Sequence, residues 1–303
     1  MTALGFVLIA GTVALPTQAV RREYIELHMG VAVRVVVYAV DDGTARRAAR
    51  AAYARIAELE EIMSDYRPQS EVRRLTGRTG ADVPVSEPLY AVLARALELA
   101  RLSDGAFDPT VGPFVELWRA ARRTGRLPER AALDSAAARV GWRRVHLGPA
   151  ARTVRLDVAG MRIDLGGIAK GYILDQARAE LRRQGVTSAL LEAGGDISAG
   201  DSPPGRAGWR VVGMPGGRAL ANAAVSTSGD TEQFVIIDGV RYSHVVDPRT
   251  GLGLTNRRQA TVVAPDGATA DGLATALTVL DDEGGAALLK AFPGVIAEVR
   301  RLP

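Results

Sequence analysis

Asp271 and Thr275 lie on one face of a predicted helix, four residues apart in Ala268-Thr-Ala-Asp-Gly-Leu-Ala-Thr-Ala-Leu277. A carboxylate, a hydroxyl and a nearby main-chain carbonyl are hard oxygen ligands that suit Mg²⁺, an ion that keeps waters and leans on substrate phosphates. Taken alone, the pair reads more simply as an acid near a helix N-terminus and a threonine packing its methyl group. The metal reading gains weight from five other segments.

In Ile163-Asp-Leu-Gly-Gly-Ile-Ala-Lys-Gly-Tyr172 the pattern passes from a strand through Gly166-Gly167 into a helix, which aims backbone N–H groups and the positive helix end at an anion. The spacing matches neither a Walker loop nor a dinucleotide turn. Lys170 is one of only two lysines, with Lys290, and its ammonium either binds phosphate or is solvated. The run Asp104-Gly-Ala-Phe-Asp-Pro-Thr-Val-Gly-Pro-Phe-Val-Glu-Leu-Trp118 holds more Gly, Pro, Asp and aromatics than a turn requires. It reads as a binding loop in which Phe107 stacks and Pro109 stiffens the chain beside Asp108, with a rigid packing loop as the plainer alternative.

Met63-Ser-Asp-Tyr-Arg-Pro-Gln-Ser-Glu71 ends a helix with Tyr66 and Arg67 ahead of a proline, so a ring can close over a planar ligand; a helix stop with a surface arginine fits equally. Glu192-Ala-Gly-Gly-Asp196 sets paired glycines after a strand, for close backbone approach or simply a tight turn. Arg241-Tyr-Ser-His-Val-Val-Asp-Pro-Arg-Thr-Gly251 joins His244 and Asp247 at a strand end, whereas His28 and His146 fall in plain strand patterns and read as structural.

Positioning these groups takes alternating strands and helices. A valine-rich strand is expected over 32–40, then a helix capped by Thr44 and running to about Ile62, and a second helix capped by Ser86 with Pro88 in its first turn and Gly105 beyond its end. Residues 126–157 read as a short helix and a hairpin pairing 145–147 with 153–156. Further strands are expected at 188–192, 209–212 and 224–227, and Asp238-Gly239 marks a hairpin between 234–237 and 240–244. Antiparallel pairing beside helices favours an α+β fold.

The chain has 303 residues, is 47% hydrophobic and carries a net charge of +4, almost all of its positive charge on dispersed arginines. That dispersion, with no basic motif or recognition helix, argues against a nucleic-acid partner. The absence of cysteine excludes disulfides, thiolate zinc sites and a lipid-bearing N-terminal cysteine. Residues 2–15 are uncharged and mostly apolar, and Pro16-Thr-Gln-Ala19 offers small residues before a cut after Ala19. Residues 1–19 are therefore expected to be a signal peptide or N-terminal anchor, although the arginines follow the apolar run instead of preceding it. One domain is expected over 20–303, outside the cytoplasm, periplasmic or on the outer face of the membrane; without a signal it would be cytoplasmic.

Together, the motifs at 63–71, 105–118, 164–171, 192–196, Ser228-Gly-Asp230, 242–251 and 271–275 resemble, in order, those of the ApbE family of FAD:protein FMN transferases, from about Met29-Gly30 to Leu280. The resemblance implies an α+β fold of antiparallel or mixed sheet layers flanked by helices, with FAD in a cleft. It implies Mg²⁺-dependent transfer of FMN from FAD to a threonine or serine hydroxyl of an acceptor protein, with AMP released. The acceptor would be a membrane-associated or exported redox protein bearing a threonine flavinylation motif.

By the same resemblance, Met29, Tyr66, Ala106, Phe107, Asp108, Asp164, Lys170 and Val245 would contact the flavin nucleotide. Gly167 and Ala274, through their carbonyls, with Asp271 and Thr275, would hold the metal. His244 is the candidate base for the threonine proton, and Asp271 the competing one. Gly253 departs from the family pattern, which favours proline there. An FAD pyrophosphatase, with water in place of threonine, and a non-catalytic flavin carrier are the alternatives.

Overall fold

A computed structural model describes residues 19–302 except 213, 215, 216, 218, 231 and 232, so the expected export segment lies, but for Ala19, outside the described residues. In chain order the strands are β1 (Val20–His28), β2 (Val31–Ala39), β3 (Val83–Pro84), β4 (Val145–Gly148), β5 (Thr153–Leu156), β6 (Ala189–Ala193), β7 (Asp196–Ala199), β8 (Ala223–Ser228), β9 (Phe234–Ile237), β10 (Val240–Ser243), β11 (Arg258–Ala264) and β12 (Ile296–Arg301). The helices are α1 (Asp42–Met63), α2 (Glu71–Thr76), α3 (Glu87–Leu102), α4 (Gly112–Thr124), α5 (Arg130–Ala137), α6 (Ala169–Arg183), α7 (Gly267–Val279) and α8 (Asp282–Leu289). The architecture is the expected α+β.

Seven strands form one antiparallel sheet in the order β1-β2-β6-β7-β8-β11-β12. The alternation in β2 sets its two faces: Val33, Val35 and Val37 enter the main core with residues of α1, α6 and α7, while Val36 joins a smaller cluster with Trp209 and Leu220. Met29 and Gly30, at φ 53° and 74°, make the two-residue turn between β1 and β2, and Asp238-Gly239, at 49° and 77°, does the same between β9 and β10. β9 and β10 form a separate two-stranded sheet, and its Ile237 packs with Phe114, Trp118 and Val246. β3, β5 and β4 form a third sheet.

Three local expectations are corrected. Asp41, not Thr44, caps α1, because its carboxylate accepts from Thr44 N–H at 2.6 Å and fixes the helix start three residues earlier. The strand expected at 209–212 reduces to one bridge between Trp209 and Leu220, with the indole N–H donating to Asp201 O at 3.0 Å. The strand leading into Gly166-Gly167 is likewise a single bridge, Arg162 to Val111, after which Asp164 N–H donates to Pro109 O at 2.8 Å. That second contact docks the 104–118 run on the glycine turn.

α6 and α7 cross with backbones nearly touching. A Cβ on Gly171 would lie 2.0 Å from Gly267 O, so both positions must be glycine for this approach. The helices also cap one another. Asp271 of α7 accepts from Gly171 N–H at 3.1 Å in the first turn of α6, and Asp175 of α6 accepts from Gly267 and Ala268 N–H, at 2.6 and 3.3 Å, where α7 begins. The crossing fixes the place of Asp271.

Candidate active site

At the start of α6, Lys170 Nζ pairs with Asp196 Oδ2, and Ser226 Oγ donates to the other oxygen of the same carboxylate. Asp271 is only 2% exposed. Burial first, then repulsion from Asp196, pushes its carboxyl up to about 7 against the pull of Lys170 and the Gly171 N–H. Burial works against the charge on Lys170, but Asp271 and Asp196 outweigh it and hold the ammonium protonated above the usual lysine range. Two carboxylates therefore share one half-buried cation, which leaves a local excess of negative charge.

The expected metal donors gather around this excess. Thr275 Oγ1 lies 3.4 Å from Gly167 O and 3.3 Å from Ser228 Oγ, and Ala274 precedes it on α7. A Cβ on Gly167 would meet Thr275 Oγ1 at 2.9 Å and the Phe107 ring at 3.2 Å, so only glycine lets this carbonyl come so near. Among the described residues no three His, Cys, Asp or Glu side chains group as a metal site. One buried carboxylate short of positive charge, a hydroxyl and main-chain carbonyls fit a hard cation that retains water, and so fit Mg²⁺.

On the far side of the glycine turn, Asp164 accepts from Gly166 N–H at 2.8 Å, and burial together with Asp65 raises its carboxyl to about 6. Arg119 of α4 meets Asp65 at 2.6 Å and Asp164 at 3.5 Å, and its guanidinium lies 4.0 Å over the Tyr66 ring. Tyr66 is 75% exposed. Met29 lines a different space, an open cavity of about 640 Å³ shared with His28, Glu60, Glu61 and Arg67. Its N–H donates to Glu60 at 3.2 Å, and Glu60 also holds Arg67 beside Tyr66.

The 104–118 run is tighter than a stacking loop. Phe107 is 4% exposed and belongs to the main core, so it presents no free face, and its edge instead walls Gly167. Asp108 is consumed by the loop: one oxygen accepts from Thr110 N–H and Oγ at 2.7 and 2.6 Å, the other from Trp142 N–H at 3.2 Å. These two side chains shape the loop. Ala106 and Val245 meet in a small apolar cluster with Leu254 and Val279, which joins this run to the segment bearing His244.

His244 Nδ1 lies 3.2 Å from Gln233 O, and its own N–H donates to that oxygen at 3.1 Å. A carbonyl only accepts, so Nδ1 carries the proton and the neutral ring has its lone pair on Nε2. Burial lowers the imidazole below its ordinary range, partly opposed by Gln233. Asp247 is not its partner, because both of its oxygens take the Arg249 side chain, at 2.9 and 2.8 Å. Gly253, the departure from the family pattern, faces Trp118 and Ser243 O so closely that a Cβ would sit 2.4 Å from the indole and 2.3 Å from the carbonyl.

The glycine turn thus brings together Asp164, Gly167, Lys170, Asp271 and Thr275, while Met29 stands apart beside Glu60. Sequence reading missed Arg119, Asp65, Ser226 and Gln233. Only the mid-helix arginine after Trp118 gave any signal, and its partners lie on other segments.

An α+β scaffold that sets a half-buried lysine and a cation-suited oxygen cluster at a glycine turn, in a chain that also holds a histidine with a free Nε2, defines an enzyme of phosphate-group chemistry. Residues 29–299 match the ApbE family, and the chain belongs to it. It is similar to an FAD:protein FMN transferase of Treponema pallidum, 37% identical over 303 residues that cover 91% of this chain and 84% of that protein. Among solved structures, the ApbE protein of Thermotoga maritima aligns with a TM-score of 0.81 at 31% identity, over 93% of this chain and 96% of its own. The flavin transferase ApbE of Vibrio cholerae aligns with a TM-score of 0.81 at 30% identity, over 92% and 93%.

Proposed function

We propose that the chain transfers FMN from FAD to the hydroxyl of a threonine or serine in an acceptor protein and releases AMP. The observation that carries this is the meeting of Lys170, Asp271, Thr275 and the Gly167 carbonyl at one helix start, in a chain whose relatives are FAD:protein FMN transferases.

The reaction forms a bond from the acceptor oxygen to the FMN phosphorus and breaks the bond from that phosphorus to the bridging oxygen, which leaves on AMP. Lys170 neutralises charge on the phosphate oxygens, and the N–H groups at the start of α6 add to it. His244 Nε2 takes the hydroxyl proton. Its lowered pKa keeps the ring neutral, and so able to accept, at neutral pH. Asp271, Thr275 and the carbonyls of Gly167 and Ala274 would hold Mg²⁺, which when bound supplies further charge neutralisation at the diphosphate. Asp271 serves better as ligand than as base, since its carboxylate already faces Gly171 N–H and Lys170. The apolar N-terminal pattern supports a location outside the cytoplasm, where an exported or membrane-associated redox protein would be the acceptor.

The test incubates protein beginning near Val20 with FAD, Mg²⁺ and an acceptor bearing a threonine motif. Flavin fluorescence on a denaturing gel is read together with the released nucleotide. Labelled acceptor with stoichiometric AMP supports the transferase. Free FMN with AMP and no labelled acceptor points to hydrolysis, and intact bound FAD overturns catalysis.

A further inference from the structure

Tyr66 is a ring without a core. It follows the end of α1 and is 75% exposed, yet one face is covered: the Arg119 guanidinium carbon lies 4.0 Å from the ring centroid. Arg119 is in turn held by two carboxylates, Asp65 at 2.6 Å and Asp164 at 3.5 Å. Asp164 accepts from Gly166 N–H at 2.8 Å, so the contacts run without a break from the exposed ring to the turn that leads into α6.

α4 does not need this arginine in order to pack. Phe114, Trp118 and Ala121 bury its other face, and the Trp118 indole donates to Ser243 O at 3.1 Å. The arginine's planar, permanently charged group can back an aromatic face as a lysine cannot.

We propose that Arg119 is a positioning residue for nucleotide binding: it braces one face of Tyr66 so that the open face stacks on the planar ring system of the flavin nucleotide, and it ties that ring through Asp164 to the phosphate-binding turn. The proposal rests on the reading that Tyr66 and Asp164 contact the nucleotide. A bare ring beside the same site would have to be ordered each time substrate bound. Bracing removes that ordering cost, so the effect falls on FAD affinity and ring stacking and not on the chemical step.

The test measures FAD binding by flavin fluorescence in the wild type, Tyr66→Ala, Arg119→Ala, Arg119→Lys and the Tyr66→Ala/Arg119→Ala double variant, with thermal unfolding alongside. Arg119→Ala should weaken FAD binding about five- to thirty-fold, the range of a cation–π contact desolvated by a ligand. It should also relieve quenching of the bound flavin and raise KM for FAD while leaving kcat within about two-fold. In the double variant the loss should equal that of Tyr66→Ala alone, because Arg119 acts through the ring.

Arg119→Lys keeps a charge between Asp65 and Asp164 but no plate, so it should bind and quench like Arg119→Ala. It carries the test should the alanine variant fail to fold. Wild-type affinity and quenching in either Arg119 variant, or additive losses in the double variant, overturn the proposal. Unchanged binding in Tyr66→Ala would instead remove the reading beneath it.

Discussion

In the proposed reaction His244 and Asp271 divide proton and metal chemistry between them. His244 is held by Gln233 with Nε2 free, and burial lowers its pKa, so it stays in the base form into mildly acid solution. Asp271 is pushed the other way, to about 7, so below that pH it gives up the charge a cation needs. The acid limb of the Mg²⁺-dependent rate should therefore follow Asp271: at subsaturating Mg²⁺, turnover should fall about ten-fold per pH unit below about pH 7, and the limb should move to lower pH as Mg²⁺ is raised. Rate profiles at several Mg²⁺ concentrations check this; a limb indifferent to Mg²⁺ would assign it elsewhere. His244→Ala should slow single-turnover AMP release by about 10²- to 10⁴-fold while a fluorescence titration finds FAD affinity nearly unchanged. Equal losses in both would make His244 a binding residue. Asp271 and Thr275 were legible because four-residue spacing on a helix dictates a shared face, and His244 because its turn-rich setting marked a strand end. Arg119 and Gln233 were not, since their partners come from other segments. The burial of the Phe107 ring and the internal bonding of Asp108 were not legible either, because residue type cannot distinguish an open ring from a buried one, or a free carboxylate from one filled by loop donors.

Among the elements, the crossing of α6 and α7 is the joint on which the candidate site turns. The first-turn N–H groups of each helix are capped by a carboxylate of the other, Asp271 on Gly171 and Asp175 on Gly267 and Ala268, and glycines at 171 and 267 allow the approach that makes both caps reach. Gly171→Ala puts a methyl 2.0 Å from Gly267 O, backbone that cannot rotate away. The helices must part, which should cost about 1–3 kcal/mol or more by overpacking and shift Asp271 off Gly171 N–H and Thr275 off the Gly167 carbonyl. Urea unfolding should show the lost stability, and Mg²⁺-dependent AMP release should fall further than stability alone explains; a wild-type midpoint and rate would show that the contact is slack. The helices and hairpins were readable because caps and turn residues are local: Ser86 before α3 and Asp238-Gly239 in the β9–β10 turn stand where expected. The order β1-β2-β6-β7-β8-β11-β12 was not, because pairing β2 with β6 or β8 with β11 depends on segments far apart in the chain. Trp209 looked like part of a strand, but its indole packs across the sheet against Tyr38 at 5.8 Å and its backbone makes only one bridge.

Over the whole molecule, the functional groups set how stability responds to pH. Burial raises Asp164 and Asp175 to about 6 and Asp271 to about 7. A carboxyl whose folded pKa lies above its unfolded value favours the folded state below the unfolded pKa, and that contribution is lost as pH rises through the folded pKa. The carboxylates that shift downward, Glu23, Asp41, Asp157, Glu180, Asp201 and Asp282, lie at the surface and act in the opposite sense only weakly. The metal-free protein should then lose stability from about pH 4 to about pH 7, as Asp164, Asp175, Asp271 and Asp108, whose carboxyl burial also raises, ionise. Mg²⁺, held at Asp271 as proposed, would relieve one of them. At about one hundred times its dissociation constant it should add about 2.7 kcal/mol, or about 4–5 °C in Tm for a chain of this size. That increment should be nearly absent at about pH 5, where Asp271 is protonated, and full at about pH 8. Thermal unfolding with and without Mg²⁺ at both pH values checks this, with Asp271→Asn as the control: the amide keeps an oxygen for Gly171 N–H but has no charge to give, so it should show no increment at either pH. Equal Mg²⁺ increments at the two pH values, or an increment that survives in Asp271→Asn, would place the cation away from the α6–α7 crossing.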